Sequence, residues 1–320
     1  MKKIITLISV MAIVVLITGG IMMKRNKKEI VEVLNSSASI KVVHDLGKTT
    51  IKERPKRVIV FDYPTLDTLN ALGVDSVVVG LPKGSSLPET IKKYEDDKYT
   101  NVGTLKEPNL EVVKSLNPDL IIISGRQASY YDQLTEIAPT ISLAKDNKKY
   151  VESMKENINI LAEIFAVEEK ATSEIKKIEE KIAEVNKKVT EKGLKSLTVM
   201  INEGNLSVYG DESRFALLYQ GFGFKNVDEN IEDSTHGQSI TFEYISEKNP
   251  QYLFVLDRGA ATGKESTAKT ILDNEIMKST DAYKNNNIIY LDPVTWYTND
   301  GGLNSINVMI EDVINNIDKE

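Results

Sequence analysis

Short apolar runs and helical periodicity alternate along the first half of the chain. The runs at 57–62, 76–80, 120–124 and 140–143 are largely continuous and apolar, which is typical of strands buried on both faces. Helical patterns separate them, for example at 66–72 and 110–116. Because continuous apolar strands that alternate with helices form parallel sheets covered by helices, this part of the chain is predicted to be an α/β lobe.

A second region with the same alternation follows a long helical segment. Residues 151–193 keep apolar positions at helical spacing, and a helix from about 168 to 191 would be roughly 36 Å long with a charged outer face. Apolar runs resume at 197–201, 252–257 and 288–291. We therefore predict an N-terminal α/β lobe over residues 51–166, a connecting helix over 167–193 and a C-terminal α/β lobe over 194–320.

The first 28 residues have a different pattern. Lys2 and Lys3 precede an uncharged, mostly apolar segment, Ile4–Met23, and four basic residues follow it. A helix of this length spans roughly 30 Å, the thickness of a bilayer core. Residues 1–28 are therefore predicted to be a signal or membrane-anchor segment, either cleaved or retained. Residues 29–50 are polar and serine-rich at first, and we predict a tether that leads into a first strand.

Charge and cysteine content exclude several functions. The chain has no cysteine, which excludes disulfides, thiolate metal sites and a lipid attached through cysteine. Without residues 1–28, 34 basic residues stand against 47 acidic residues, a formal charge of −13. Because such a surface repels nucleic acid, no nucleic-acid partner is predicted. An anionic ligand would have to be held by local positive charge.

The strongest internal signal is the repeated pattern E-x5-N-P-x7-R. One copy runs from Glu111 to Arg126, and the other runs from Glu243 to Arg258, 132 residues later. An apolar run lies between the proline and the arginine in both copies. The repeat predicts two homologous lobes, each with an arginine just beyond the C-terminal end of a strand. Ligands of open α/β sheets bind at that edge, so the site is expected in the cleft between the lobes.

Arginine is scarce enough to suggest a specific use. The chain has six arginines among its 40 basic residues, and Arg126, Arg214 and Arg258 lie in the two lobes. A guanidinium is a planar, permanently charged fork of donors that suits the binding of anionic oxygens. The alternative is that each of these arginines makes an ordinary surface salt bridge.

Two other positions could carry chemistry. His236 lies in a polar loop ahead of the second repeat, where a structural histidine is a more common interpretation than a metal ligand. Trp296, the only tryptophan, is either a core residue or an aromatic side chain that contacts a ligand. Enzyme motifs do not fit: the glycine-rich stretch 259–266 lacks the spacing of a phosphate-binding loop, and no G-x-S-x-G or H-E-x-x-H occurs.

Five stretches carry a resemblance to a known family: NVGTLKEPNLEVV, NPDLIIISGRQ, STHGQS, FEYISEKNPQYLFVLDRG and YLDPVTWYTNDGGL. Together they resemble the ferric-siderophore receptors of ABC importers, in the catecholate and petrobactin-type branch of the class III (cluster A) binding proteins. The likeness runs over about residues 40–318. It implies two Rossmann-like α/β lobes joined by a single long backbone helix, with the ligand cleft between them.

The resemblance also implies roles for individual residues. Arg126, Arg214 and Arg258 match the arginines that surround the anionic chelate. His236 and Tyr297 match positions that complete iron coordination when the siderophore leaves sites open, and Trp296 stands beside Tyr297 as a candidate ligand contact. Glu111 and Glu243 match two carboxylates on the lobe surfaces that dock onto the permease.

The expected function is therefore that of a monomeric extracytoplasmic receptor. It would deliver an anionic ferric siderophore, of catecholate type, to ABC permease subunits, without catalysis and without an intrinsic cofactor. It would be membrane-anchored or secreted, and lipid anchoring is not expected because Gly20 stands where Gram-positive relatives have the lipid-bearing cysteine. The alternatives are a receptor of the same fold for haem, a corrinoid or a hydroxamate siderophore, or an exported enzyme that uses His236.

Overall fold

The computed structural model describes residues 39–232 and 234–317. The predicted signal or anchor segment, residues 1–28, and the tether up to residue 38 lie outside this range. Within the described residues, no helix is both long enough and apolar enough to cross a membrane. The predicted first strand is found as two strands, β1 (Ile40–His44) and β2 (Gly47–Ile51), which form a separate two-stranded sheet.

The N-terminal lobe is built on a five-stranded parallel sheet with the order β5-β4-β3-β6-β7. Its central strands are buried along their whole length because helices cover both faces. The strands are β3 (Val58–Val60), β4 (Val78–Leu81), β5 (Thr100–Asn101), β6 (Leu120–Ile123) and β7 (Thr140–Ser142). The parallel arrangement predicted for this lobe is present.

The C-terminal lobe has a mixed sheet with the order β11-β9-β8-β12-β13, and β10 pairs with β8. The strands β8, β12 and β13 are parallel, but β9 runs antiparallel to β8 and β11 antiparallel to β9. Glu203 and Gly204 have φ values of 51° and 84°, so a two-residue hairpin turn reverses the chain there. The bounds are β8 (Lys195–Asn202), β9 (Asn205–Tyr209), β10 (Lys225–Asn226), β11 (Gln238–Ile240), β12 (Tyr252–Asp257) and β13 (Ile288–Tyr290).

Twelve α-helices of the described residues cover or connect these sheets. They are α1 (Tyr63–Leu72), α2 (Leu110–Ser115), α3 (Tyr131–Thr135), α4 (Tyr150–Phe165), α5 (Glu168–Lys192), α6 (Phe242–Lys248), α7 (Arg258–Ala261), α8 (Ala268–Leu272), α9 (Glu275–Lys278), α10 (Asp281–Lys284), α11 (Pro293–Thr298) and α12 (Ser305–Ile317). Short 3-10 helices lie at Asp75–Val77, Glu89–Glu95, Gly125–Tyr130 and Asn147–Lys149, and a π-helix at Leu217–Gly221.

The long helix α5 lies between the two lobes in the sequence, as the apolar periodicity predicts. Its buried residues include Ile175, Ile178, Ile182 and Val185, which recur every three or four positions and form one apolar face. The helix ends at Lys192 and is capped by Gly193, whose φ of 61° is readily adopted by glycine. The α/β fold of two lobes joined by this helix is therefore present, while the boundaries assigned to the lobes stay predictions.

The repeated pattern corresponds to a repeated structural unit. In each copy a short helix, α2 or α6, is closely followed by an asparagine in the left-handed conformation, Asn117 (φ 46°) or Asn249 (φ 42°). The proline that follows cannot continue a helix, and the chain then enters β6 or β12. Because both strands end near their arginine, Arg126 and Arg258 occupy equivalent places in the two lobes.

The segment between α11 and α12 connects the lobes a second time, through hydrogen bonds. The carboxylate of Asp67, on α1 of the N-terminal lobe, accepts from the backbone N–H of Asn304 at 2.6 Å and of Ser305 at 2.9 Å. These are donors at the N-terminus of α12, which would otherwise lack partners. Asp67 is completely buried, so its bonds hold α12 of one lobe against α1 of the other.

Candidate ligand-binding site between the lobes

A cavity of about 630 Å³ lies between the lobes at the carboxyl ends of the strands. Five of the residues predicted from the sequence line it: Arg126, Arg214, His236, Arg258 and Tyr297. The chain brings them together from four parts of the C-terminal lobe and one part of the N-terminal lobe. This is the edge of an open α/β sheet at which ligands bind.

The three arginines converge on Tyr297. The guanidinium of Arg258 donates from Nε to the Tyr297 hydroxyl at 2.9 Å. The Tyr297 carbonyl oxygen accepts from Arg126 at 3.0 Å and from Arg214 at 2.7 Å. The guanidinium carbons lie 4.5–5.8 Å from the centre of the Tyr297 ring. One residue on α11 therefore orders three positive charges from both lobes.

These charges change the acidity of the Tyr297 phenol. Its partial burial raises the pKa, but the hydrogen bond from Arg258 and the charges of Arg258, Arg214 and Arg126 outweigh burial, so the pKa lies below the ordinary value. The same hydrogen bond raises the pKa of Arg258. The cavity is thus a region of positive potential in a chain whose formal charge is −7. Such a region suits an anionic ligand.

The arginines are held by different local structures. Arg126 is exposed and lies on the 3-10 helix after β6, where the buried side chain of Gln127 accepts from the Ser124 N–H at 3.0 Å. Arg258 is the first residue of α7, directly after β12. Its Nη1 donates to the Asn202 side chain at 2.8 Å. Both arginines therefore lie just beyond the C-terminal end of a strand, as the repeat predicts.

Arg214 comes from outside the repeat, in the connection between β9 and the π-helix. Its Nε is buried and has no hydrogen-bond partner among the described residues. Buried donors in native proteins are nearly always paired, so an orphan donor beside a cavity is a place where a ligand acceptor or water can bind. Arg214 thus supplies a donor that the protein leaves available.

His236 lies at the edge of the cavity on an exposed loop before β11. Gly237 follows it with a φ of 72°, and a Cβ there would come within 2.8 Å of the Tyr209 ring and the Val208 carbonyl. Only glycine allows the loop to pass this close to β9. The close approach brings His236 into the cavity lining.

The structure assigns Trp296 to the core, so the expected ligand contact is wrong and the alternative interpretation holds. The indole is 0% exposed, does not line the cavity and donates from Nε1 to Asp312 at 2.8 Å. On the short helix α11, adjacent residues point about 100° apart, so Tyr297 can face the cavity while Trp296 faces the core.

Glu111 and Glu243 lie away from the cavity. Each is exposed and occupies the first turn of its helix, α2 or α6, at matching positions in the two repeats. A carboxylate in the first turn is favourable because it faces the positive end of the helix dipole. The two side chains are therefore equivalent, surface-accessible acids, one on each lobe.

Seven further residues of the lining were not predicted as site residues. They are Lys106, Gly125, Met200, Asn202, Ser207, Tyr209 and Thr235. Four of them, Met200, Asn202, Ser207 and Tyr209, belong to the β8–β9 hairpin, and the Glu203–Gly204 turn was the sequence signal that could have revealed it. Lys106 adds a fourth cation to the lining.

A second cavity, of about 320 Å³, shares Arg126 and Arg214 with the first. Its lining contains an ion pair between Lys145, after β7, and Asp300, after α11. Burial lowers the pKa of Lys145 even though Asp300 acts to raise it. The pair therefore joins the two lobes next to the helix that carries Tyr297.

These features define a solute-binding protein with its site between two α/β lobes, and the chain belongs to the family described as periplasmic binding protein. The family matches residues 58–295. Its members are extracytoplasmic binding proteins or lipoproteins.

The chain is similar to two siderophore-binding proteins of known sequence. The petrobactin-binding protein YclQ of Bacillus subtilis is 44% identical over 88% of this chain and 89% of its own length. The ferric-anguibactin-binding protein FatB of Vibrio anguillarum is 31% identical over 86% of each chain.

Two solved structures are also similar. The crystal structure of YclQ superposes with a TM-score of 0.86 at 45% identity, and covers 89% of this chain and 100% of its own. The catecholate-siderophore binding protein VctP of Vibrio cholerae superposes with a TM-score of 0.81 at 34% identity, over 86% of this chain and 99% of its own.

Proposed function

We propose that this chain is the receptor subunit of an ABC importer and binds a ferric siderophore between its lobes. The observation that carries the proposal is the convergence of Arg126, Arg214 and Arg258 on Tyr297 beside a cavity of about 630 Å³. The family of the chain and the siderophore-binding relatives support the same function. These relatives are binding proteins, and no chemical step is proposed.

The charge of the cavity favours a strongly anionic complex. A ferric ion held by two catecholates and a third chelating unit is a compact trianion at neutral pH. A unit charge pair about 4 Å apart gives roughly 4 kcal/mol at an effective dielectric constant near 20, before the cost of desolvation is subtracted. Three guanidinium groups match this charge, and each can form paired hydrogen bonds with catecholate oxygens.

The iron would remain bound to its siderophore. Fe³⁺ is a hard ion that prefers oxygen ligands, and the lowered pKa of Tyr297 favours the phenolate form that such an ion binds. We propose that Tyr297 and His236 complete the coordination only where the siderophore leaves positions open. The protein has no intrinsic cofactor in this proposal, and iron is part of the cargo.

A catecholate of petrobactin type is the proposed ligand class. YclQ, at 44% identity, is named for petrobactin. A hydroxamate complex carries less negative charge and would leave guanidinium charge in the cavity unmatched. Haem and corrinoids place their charge at the edge of a large ring. A compact cluster of three arginines would therefore contact less negative charge on these ligands.

Titration with ferric petrobactin tests the proposal. We expect nanomolar affinity, on the order of −12 kcal/mol, by calorimetry or by quenching of intrinsic fluorescence. Ferric hydroxamates, haem and corrinoids should compete weakly. The triple variant Arg126→Ala, Arg214→Ala, Arg258→Ala should lose affinity by orders of magnitude.

The matched control is Arg57→Ala. Arg57 is an exposed arginine that donates to the Leu116 and Asn117 carbonyls and does not line the cavity. Its removal should leave affinity unchanged. Equal binding by the triple variant, or preference of the wild-type protein for a hydroxamate or a macrocycle, would contradict the proposal.

We further propose that the chain acts as a monomer on the extracytoplasmic side of the membrane and docks on its permease through Glu111 and Glu243. One exposed carboxylate on each lobe suits a permease of two subunits. In membranes with the cognate transporter, the double variant Glu111→Ala, Glu243→Ala should reduce uptake without changing siderophore affinity. Glu163→Ala, which removes an exposed carboxylate from α4, should reduce neither.

A further inference from the structure

One half-buried carboxylate outside the cavity is hydrogen-bonded to the helix that carries Tyr297. Oδ2 of Asp312, on α12, accepts from the Asp292 N–H at 2.8 Å and from Trp296 Nε1 at 2.8 Å. Both donors belong to α11 or the residue before it. A single carboxylate oxygen therefore holds this short helix at two points.

The two bonds restrict both the position and the rotation of α11. Asp292 immediately precedes the helix, and its own side chain accepts from the Thr295 N–H at 2.8 Å. Trp296 lies one turn further on and is directly followed by Tyr297. The first bond fixes where the helix begins. The second fixes which face points to the core, and therefore which face presents Tyr297 to the cavity.

The same indole also supports Arg214. Trp296 packs against Phe215 with ring centroids 6.3 Å apart, and both side chains are completely buried. Phe215 follows Arg214 in the chain, and the Arg214 guanidinium lies 6.0 Å from its ring. Asp312 is thus connected through Trp296 to two members of the site, Tyr297 and Arg214.

We propose that Asp312 is a positioning residue of the siderophore site. It holds Tyr297 where three guanidinium groups meet and where its phenol can reach an open iron position. This inference rests on the proposed function. Outer-shell residues of this kind typically change metal affinity by about 10- to 100-fold when they are removed, because a site displaced by about 1 Å loses much of its geometry.

The test compares Asp312→Ala and Asp312→Asn with the wild-type protein. Each is titrated with a tetradentate ferric bis-catecholate, which leaves iron positions open, and with a hexadentate tris-catecholate, which fills them. We expect Asp312→Ala to bind the tetradentate complex about tenfold or more weakly and to lose much less affinity for the hexadentate complex. The emission of Trp296, the only tryptophan, should shift because its indole loses its acceptor.

The asparagine variant supplies the rescue. Its amide oxygen can accept the same two hydrogen bonds, so most of the tetradentate affinity should return. Glu311→Ala is the control, because it removes the same charge from an exposed, neighbouring position of α12 and should change neither affinity. Should Asp312→Ala fail to fold, Trp296→Phe removes one of the two bonds and keeps an aromatic ring. It should give a smaller loss that is again selective for the tetradentate complex.

Each outcome decides the inference. Equal affinity of folded Asp312→Ala and wild type for the tetradentate complex would overturn it. Equal losses for both complexes would also overturn it, since they would indicate general destabilisation rather than placement of Tyr297. If the wild-type protein binds neither complex, the proposed function itself fails, which is a different result.

Discussion

Arg126 and Arg258 come from the same repeated pattern but lie in different environments. Arg126 is exposed and donates to the Tyr297 carbonyl, which belongs to the other lobe. Arg258 is half-buried and donates to the Tyr297 hydroxyl and to Asn202, both in its own lobe. The C-terminal half of the site is therefore assembled within one lobe. The N-terminal half depends on contact between the lobes.

The residues next to the two arginines differ in the same way. The carboxylate of Asp257, directly before Arg258, accepts from Ala260 N–H at 3.1 Å, Thr267 N–H at 2.7 Å, Ala268 N–H at 3.0 Å and the Ser266 hydroxyl at 3.0 Å. In the N-terminal lobe, Gly125 directly precedes Arg126, and the neutral pair Ser124 and Gln127 lies at the start of the helix that carries the arginine. A charged acceptor with four donors holds its loop more firmly than a neutral pair can.

This difference indicates how the site is completed. We expect the C-terminal lobe to present Arg258 and Tyr297 already ordered, so that little conformational freedom is lost when a ligand binds there. Arg126 reaches its place only when the lobes are close together. The duplicated motif thus supplies one preorganised arginine and one that completes the site.

The largest expected effect is on affinity. Arg258→Ala should weaken binding of a ferric catecholate by about 100-fold or more, roughly 3 kcal/mol, because it removes a partly buried charge and leaves Asn202 and Tyr297 without their donor. Arg126→Ala should cost about tenfold, since its charge is largely solvated. Calorimetric titration measures both, with Arg57→Ala as the neutral control. A larger loss at Arg126 would reverse the comparison.

The repeat explains why so much of this site, which is formed by both lobes, could be predicted. Spacing to the end of an apolar strand was enough to place Arg126 and Arg258, because parallel strands bring their carboxyl ends to one edge. Helix α5 was visible because its apolar face persists over 25 residues. The role expected of Tyr297 came from the resemblance alone, and Arg214 was singled out only by the scarcity of arginine and by the resemblance. Neither residue belongs to a repeat or to a long periodic segment.

The orientation of Trp296 and the contribution of the β8–β9 hairpin could not be derived in the same way. Helix α11 has six residues, too few for a periodic pattern to show which face is buried. The partner that decides the direction of the indole, Asp312, lies 16 residues further along the chain. Asn202 and Tyr209 reach the cavity because β9 is antiparallel to β8, whereas the strand pattern favoured a wholly parallel sheet.

The second expected effect concerns the stability contributed by the segments around Arg126 and Arg258. Asp257→Asn should lower the free energy of unfolding by about 2 kcal/mol because all four donors lose a charged acceptor and the amide NH2 group that replaces one oxygen cannot accept a hydrogen bond. Ser124→Ala should cost less than about 1 kcal/mol, since the Ser124 N–H keeps its bond to Gln127. Urea unfolding at neutral pH measures both. Equal losses of unfolding free energy in the two variants would show that the segments around Arg126 and Arg258 are held equally firmly.

The pH dependence of the unfolding free energy provides a more specific test of the same difference. Burial raises the pKa of Asp257, but its hydrogen bonds outweigh burial and leave the pKa below the ordinary value. A folded-state pKa below the unfolded value gives stability that is present above the unfolded pKa, near about 4, and is lost as the pH falls through the folded value. The stability advantage of wild type over Asp257→Asn should therefore shrink below about pH 4, and that of wild type over Ser124→Ala should not.

The smallest expected effect is the salt dependence of the two arginines. Raising the ionic strength from about 0.05 M to about 0.5 M shortens the Debye length to a few ångströms and screens exposed charges much more than buried ones. The affinity ratio of wild type to Arg126→Ala should fall roughly two- to threefold over this range, whereas the ratio to Arg258→Ala should change less. Titrations of the three proteins at both salt concentrations measure the ratios, and Arg57→Ala corrects for the loss of one surface charge. Equal salt dependence at Arg126 and Arg258 would mean that the ligand shields both guanidinium groups to the same degree once bound, so that the difference between the lobes exists only in the free protein.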